Sequence, residues 1–455
     1  MSEPEAALRA GPAGQSSGGA LATLLERRFR LAENRTSPRT EILAGITTFL
    51  TMAYIIFVNP AILSATGMDA GALFVATCLA AAFGSAMMGL AANYPIALAP
   101  GMGLNAYFTY SVVLGSNGAV SWQAALGAVF ISGVIFLILS VLPVREWIIN
   151  AIPKSLKMAI GAGIGLFLGI IALQTAGIVV DHPATLVTLG SLHAPSTILA
   201  VLGFFVMVAL DRLKVPGAII IAILATTAAG ILLGVSEFKG IFSAPPSIAP
   251  TFLAMDLRAA TNLGLVAIIF TFLFVDLFDN TGTLIGVAHR AGLIGPDGRI
   301  PRLGRALVSD SSAAMVGAAL GTSTTTSYIE SAAGVKAGGR TGMTAVVVAI
   351  LFLAALVLSP LANTIPGYAT APALLYVACL MTRGLTEIDW EDATEFAPAV
   401  ITAIAMPLTF SIAHGIAFGF IAYAAIKLLS GRVRDLNLAL LVLAIAFIVK
   451  FAWLG

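Results

Sequence analysis

The chain has 455 residues, of which 59% are hydrophobic and 10% are charged, and its formal net charge is +2. Soluble domains carry about 25% charged residues, so this composition excludes a soluble globular protein. Its apolar stretches approach the length of about 20 residues that crosses a bilayer as a helix, whereas a β-barrel would show short alternating segments. We therefore predict an all-α polytopic membrane protein.

Residues 1–40 are predicted to form a cytoplasmic N-terminal tail. The beginning of this tail is rich in Ala, Gly and Ser and lacks the basic-then-apolar order of a signal peptide. Arginines then cluster before the first apolar run: Arg27, Arg28, Arg30, Arg35 and Arg39. Basic residues that flank a membrane span remain on the cytoplasmic side, so we expect the N-terminus to lie inside.

Fourteen predicted spans follow, seven before and seven after a proline-rich loop at residues 244–250. They cover residues 42–63, 71–92, 97–114, 121–142, 156–177, 196–211, 216–235, 261–287, 303–320, 322–337, 341–360, 368–382, 397–412 and 415–430. With this count, most of the 24 basic residues fall in cytoplasmic loops. A further apolar run at 436–454 either spans the membrane, lies at the interface or packs outside.

An odd number of spans per half places the two halves in opposite orientations, as in the inverted repeats of many transporters. A constant offset along the chain brings span three onto span ten and pairs Asn105 with Thr326. Span three begins with Pro and Gly residues that break a helix, and span ten begins with a Thr run that favours extended backbone. We predict that both spans are broken into an extended segment and a half-helix.

Two carboxylates, Asp276 and Asp279, lie in the middle of predicted span eight. A charge at that depth costs about 2.5 kcal/mol or more, so ionisable residues in spans usually mark a transport pathway. Asn280 lies one turn beyond Asp276 on the same helix face. We predict that all three contact a substrate. The alternatives are a structural hydrogen bond for Asp276 and a packing or gating role for Asp279.

The broken spans add polar groups to this predicted site. Glu330 begins the half-helix of span ten, Thr326 and Tyr328 precede it, and Asn105 lies at the break of span three. The alternatives are a helix cap for Asn105, a β-forming support for Thr326 and simple packing for Tyr328. The set contains no Lys or Arg, which disfavours an inorganic anion and suits a ligand rich in N–H donors, a cation or a proton.

Several segments resemble the azaguanine-type (AzgA-like) purine permeases of the nucleobase–cation symporter-2, or nucleobase–ascorbate transporter, group. The resemblance extends from about Asn34 to Gly431. The segments that carry it are Thr47–Tyr54, Val58–Pro60, Ala99–Tyr107, Phe274–Thr283, Gly321–Ser331 and Met406–Ile412.

The resemblance implies a transporter, and not an enzyme, that takes up hypoxanthine, guanine or adenine with protons by an elevator movement. A homodimer in the cytoplasmic membrane is implied as well. The implied core domain comprises residues 41–143 and 259–362, the gate domain comprises residues 144–236 and 363–431, and residues 432–455 form a C-terminal apolar segment.

The resemblance also implies roles for particular residues. Asp276 and Glu330 would contact the base, and Asn105 and Asp279 would affect binding or transport. We expect Asp276 and Glu330 to carry the coupling proton, with Asp276 preferred because it lies deeper in apolar helix. No cofactor, metal or nucleic acid is expected.

A uracil or xanthine permease and a sodium-coupled nucleobase symporter are the alternatives, since carboxylates serve either ion. An intramembrane aspartyl protease needs two aspartates on facing helices. Here Asp276 and Asp279 share one predicted helix, and no Gly-x-Gly-Asp segment occurs.

Overall fold

The computed structural model describes residues 20–142, 152–293 and 300–453, which form a largely helical protein. The predicted boundary between core and gate near residue 143 lies outside the described residues, as does most of the first half of the N-terminal tail.

The first half of the chain contains nine helices and three short strands among the described residues. The helices are α1 (Ala20–Phe29), α2 (Pro38–Met52), α3 (Ile55–Leu63), α4 (Ala70–Met87), α5 (Met102–Ala106), α6 (Trp122–Val141), α7 (Lys154–Thr175), α8 (Pro195–Arg212) and α9 (Ala218–Leu232). The strands are β1 (Leu98–Pro100), β2 (Val179–His182) and β3 (Leu186–Leu189), of which β2 and β3 form an antiparallel hairpin.

The second half contains a fourth strand, β4 (Thr325–Ser327). Its helices are α10 (Leu257–Ala260), α11 (Leu263–Arg290), α12 (Leu303–Leu320), α13 (Ser331–Lys336), α14 (Gly342–Ala354), α15 (Ser359–Thr364), α16 (Gly367–Thr382), α17 (Ala393–Leu408), α18 (Ile412–Leu429) and α19 (Leu438–Trp453). Segments of π-helix continue α4 and α5, at Met88–Ala92 and Tyr107–Val113.

Within the described residues, eight helical stretches are long and apolar enough to cross a membrane. Some are composite, such as Pro38–Thr66, which joins α2 and α3, and Gly342–Thr364, which joins α14 and α15. Three shorter apolar helices are Ala218–Leu232, Ala393–Leu408 and Leu438–Val449. A predominantly helical, polytopic architecture is therefore confirmed, with four short strands among the described residues. The count of fourteen spans stays a prediction because the other candidates are short or interrupted helices.

The helices pack in two sets, and each set draws on both halves of the chain. In the first set, α2, α4 and α6 pack against α12, α13 and α14, and α11 packs against α6. In the second set, α7 and α8 pack against α16, and α17 packs against α7 and α18. The C-terminal helix α19 packs on α18, where Phe451 stacks on Phe418 with ring centroids 5.4 Å apart.

Candidate functional site

The strands β1 and β4 form an antiparallel pair that joins the two halves of the chain at a buried position. Gly101 N–H donates to the Thr324 carbonyl at 2.9 Å, and Tyr328 N–H donates to the Ala97 carbonyl at 3.0 Å. These bonds satisfy polar backbone groups that would otherwise be costly to bury in a membrane protein. Each strand leads directly into a short helix, β1 into α5 and β4 into α13.

The two extended segments are not related by the constant offset that the sequence suggests. That offset pairs Asn105 with Thr326, but Asn105 lies within helix α5 and Thr326 lies in the middle of strand β4. The predicted correspondence between Asn105 and Thr326 is therefore wrong. The predicted half-helices also differ in length, because α5 continues as π-helix to Val113 whereas α13 ends at Lys336.

Asp276 and Asn280 lie one turn apart on the long helix α11, and both are buried, with 1% and 0% of their surface exposed. Helix α11 packs against β4, α5 and α13. Its Phe272 makes an edge-to-face contact with Tyr107, and the two ring centroids are 5.0 Å apart. Tyr107 follows Asn105 by two residues in the chain. The side chain of Asp279 lies outside the described residues.

Asn105 and Asn280 are buried amides with unmet hydrogen-bonding capacity. Within the described part of the chain, neither the nitrogen nor the oxygen of either amide has a hydrogen-bond partner. The buried hydroxyl of Thr326 on β4 likewise has no hydrogen-bond partner among the described residues. Buried polar groups in native proteins are nearly always hydrogen-bonded, so this arrangement is suited to a ligand that supplies both donors and acceptors.

Glu330 immediately precedes α13 and is partly buried. Its Oε1 accepts a hydrogen bond of 2.6 Å from the hydroxyl of Tyr54. The sequence gives no signal for this contact, because Tyr54 and Glu330 come from different halves of the chain.

Tyr328 uses its hydroxyl within the protein. The hydroxyl donates to the Pro100 carbonyl at 2.5 Å, and the residue is 5% exposed. This bond ties the end of β4 to the end of β1, so Tyr328 supports the strand pair whether or not its ring also contacts a substrate.

A buried carboxylate that contacts the strand pair was missed by the sequence interpretation. Asp310 on α12 is fully buried and accepts a hydrogen bond of 3.0 Å from Ser327 on β4. The signal that could have found it is the one that identified Asp276, namely a charge inside an apolar run. Asp310 and Ser327 link the helix before the broken segment to the strand inside it.

Comparison with known proteins identifies the chain. The sequence profile of the Permease family matches residues 39–418. The chain belongs to the Permease family. It is 50% identical to the adenine permease AdeP of Escherichia coli (strain K12) over 431 residues, which cover 95% of this chain and 96% of AdeP. It is 48% identical to the guanine/hypoxanthine permease PbuG of Bacillus subtilis (strain 168), with 94% of this chain and 99% of PbuG covered.

The fold of this permease is shared with a more distant transporter. The transmembrane domain of the cyanobacterial bicarbonate transporter BicA superposes with a TM-score of 0.60 at 15% identity, covering 84% of this chain and 97% of that chain. At this identity the likeness concerns the fold alone. The resemblance to purine permeases is confirmed by the close relatives, and the chain is a multi-pass membrane permease and not an enzyme.

Proposed function

We propose that this permease is a secondary active transporter that takes up purine nucleobases together with protons across the cytoplasmic membrane. The observation that carries the proposal is the near-complete match, at about half identity, to permeases named for adenine and for guanine and hypoxanthine. The buried site supports it, because its groups suit a flat ligand with N–H donors and ring acceptors.

The proposed purine contacts are Asp276, Glu330, Asn105, Asp279, Asn280, Thr326 and Tyr328. A carboxylate only accepts hydrogen bonds, whereas an amide both donates and accepts. Together they match the mixed edge of a purine base. A site built for such hydrogen bonds strongly rejects analogues that lack them, since its own buried groups are then left unpaired.

Asp276 and Glu330 are the proposed carriers of the coupling proton. Carboxyl groups in an apolar environment can exchange protons near neutral pH, and Asp276 is 1% exposed. Protonation from outside would favour loading of the base, and loss of the proton to the cytoplasm would favour its release.

We further propose fourteen spans in a seven-plus-seven inverted repeat, with spans three and ten broken at β1 and β4. The two packing sets of helices support a core that moves against a gate in an elevator manner, and the distribution of basic residues supports a cytoplasmic N-terminus. A homodimer is proposed from the resemblance to the purine permeases.

Uptake of radiolabelled hypoxanthine in cells that lack their own purine permeases tests this function. We expect unlabelled adenine or guanine to compete and a protonophore to abolish accumulation. Asp276→Asn and Glu330→Gln should reduce uptake at least tenfold, whereas Asp181→Asn, on the exposed strand β2, should transport normally. Competition by uracil alone would contradict the purine assignment, and competition by xanthine alone would contradict the choice of hypoxanthine, guanine and adenine as substrates. A sodium requirement without protonophore sensitivity would contradict proton coupling.

A further inference from the structure

Tyr54 lies at the interruption of the first predicted span. Helix α2 ends at Met52 and α3 begins at Ile55, so Ala53 and Tyr54 form the turn between the two helices. Tyr54 is fully buried. Its hydroxyl donates to Glu330 Oε1 at 2.6 Å, which connects the first half of the chain directly to the carboxylate that begins α13.

The backbone of Glu330 is also held against α2. Thr51 precedes Tyr54 by one turn, and its Oγ1 lies 3.5 Å from the Glu330 backbone oxygen. Farther along α13, a Cβ atom added to Gly334 would lie 2.0 Å from Thr48 Oγ1 and 2.6 Å from the Ala44 carbonyl oxygen. Because α13 packs this closely on α2, the start of α13 cannot shift away from Tyr54 without separating the two helices.

A glutamate side chain has several rotatable bonds, and its ordering has an entropic cost when it binds a ligand. A hydrogen bond from a fixed, buried donor selects one carboxylate orientation before the ligand arrives, and such preorganisation strengthens binding. The phenol of Tyr54 has few torsions of its own and is enclosed on all sides, so it is suited to this task.

We propose that Tyr54 is a positioning residue for Glu330, and that its hydroxyl orients the carboxylate toward the N–H groups of a purine base. The inference rests on the proposed function of the site. It adds a residue whose phenol acts through Glu330 and not through a ring contact with the base.

A double-mutant cycle on equilibrium binding tests this role. Purified full-length permease is titrated with radiolabelled hypoxanthine, adenine or guanine, whichever the wild type binds most tightly. The proteins are the wild type, Tyr54→Phe, Glu330→Gln and the double variant. We expect Tyr54→Phe to raise the Kd about tenfold when Glu330 is present, because the substitution removes a hydrogen bond to a charged group. In the Glu330→Gln background the same change should raise the Kd about threefold or less.

The matched control is Tyr368→Phe. Tyr368 is a buried tyrosine on α16 whose hydroxyl bonds to Ser236 Oγ at 3.0 Å, and its variant should bind the base as tightly as the wild type. Melting temperatures are recorded for every variant. Tyr54→Met also lacks the donor but keeps a long apolar side chain, and it replaces Tyr54→Phe in the cycle if the latter does not fold.

Two results would overturn the role of Tyr54. One is an unchanged Kd in Tyr54→Phe, and the other is an equal loss in both backgrounds, since Tyr54 would then act independently of Glu330. A different result would overturn the proposed site itself: if Glu330→Gln alone binds the base as tightly as the wild type, Glu330 is not a purine contact.

Discussion

Ala99 and Thr326 lie opposite each other in the antiparallel pair of β1 and β4, although they come from different halves of the chain. The two strands approach closely here because the next residue after β1 is Gly101. A Cβ atom at Gly101 would lie 2.9 Å from Thr326 Cγ2, while the other neighbouring atoms are at 3.8 Å or more. The methyl group of Thr326 therefore restricts the side chains that position 101 can accommodate.

Gly101→Ala should weaken the strand pair and lower both uptake and thermal stability. The backbone of Gly101 is extended, with φ −77°, so the penalty comes only from the contact with Thr326. Overpacking of this kind costs about 1–3 kcal/mol. Adding Thr326→Ser removes the methyl group and keeps the hydroxyl, and the double variant should recover most of the lost stability. Melting curves of the three variants in detergent check this, and a double variant no more stable than Gly101→Ala would contradict it.

Ser327→Ala should destabilise the permease by about 1–3 kcal/mol, since it removes a hydrogen bond to the buried carboxylate of Asp310. Ser311→Ala is the control. Ser311 is equally enclosed on α12, but within the described part of the chain its hydroxyl bonds only to backbone carbonyls of its own helix, at Leu307 and Val308. Chemical denaturation of both variants provides the comparison. Equal losses of unfolding free energy in the two variants would show that the hydrogen bond between α12 and β4 contributes no more than a bond within one helix.

Gly342→Ala should be among the most disruptive small substitutions in the protein. A Cβ atom at Gly342, the first residue of α14, would lie 2.0 Å from the Gly89 carbonyl oxygen, and a Cβ atom at Gly89 would lie 2.4 Å from the Gly342 carbonyl oxygen. Backbone atoms cannot rotate away, so we expect a loss of about 3 kcal/mol or more.

The control for Gly342→Ala is Gly161→Ala in the interior of α7. A Cβ atom at Gly161 would meet no atom within 4 Å outside its own helix, and alanine is favoured over glycine in a helix by up to about 1 kcal/mol. Expression level and melting temperature should therefore separate the two variants in opposite directions. A tolerated Gly342→Ala would mean that α14 and the π-helical segment after α4 can separate at little cost.

Lys427→Met should destabilise the packing of α18 on α17. The Lys427 side chain is 1% exposed and lies 2.7 Å from Glu395 Oε1 and 3.1 Å from Asp435 Oδ2. The Glu395 and Asp435 side chains are 22% and 45% exposed, and Asp435 also lies 3.8 Å from Arg432. Loss of Lys427 should therefore cost more than the roughly 1 kcal/mol of an exposed pair but less than the ~3 kcal/mol of breaking a fully buried pair. Adding Glu395→Gln removes one of the charges that Lys427 compensates, so the double variant should lose less than the sum of the single variants.

Lys154→Met is the control for Lys427→Met. Lys154 pairs with Glu387 at 3.3 Å, but both side chains are more than half exposed. An exposed pair of this kind contributes at most about 1 kcal/mol. Thermal stability at low and high salt should show a small, salt-sensitive loss at Lys154 and a larger loss at Lys427. Similar losses at both positions would contradict the importance of burying Lys427.

The sequence by itself determined the class of protein, and it predicted the polar residues of the candidate site. The scarcity of charged residues predicted a polytopic helical membrane protein. Asp276 was predicted to be functional because a carboxylate inside an apolar run is energetically costly and usually marks a transport pathway. Local chemistry also predicted extended backbone before Asn105 and before Glu330, since proline, glycine and β-branched residues disfavour helix.

Only the tertiary structure decided which distant groups meet. The hydrogen bond from Tyr54 to Glu330 and the one from Ser327 to Asp310 depend on how separate helices pack, and helical or strand periodicity carries no information about a neighbour from another part of the chain. The antiparallel pairing of β1 with β4 likewise follows from the need of two buried extended segments to satisfy each other's backbone groups. The requirement for hydrogen bonds can be recognised in each segment separately, but the tertiary structure determines which segment provides them.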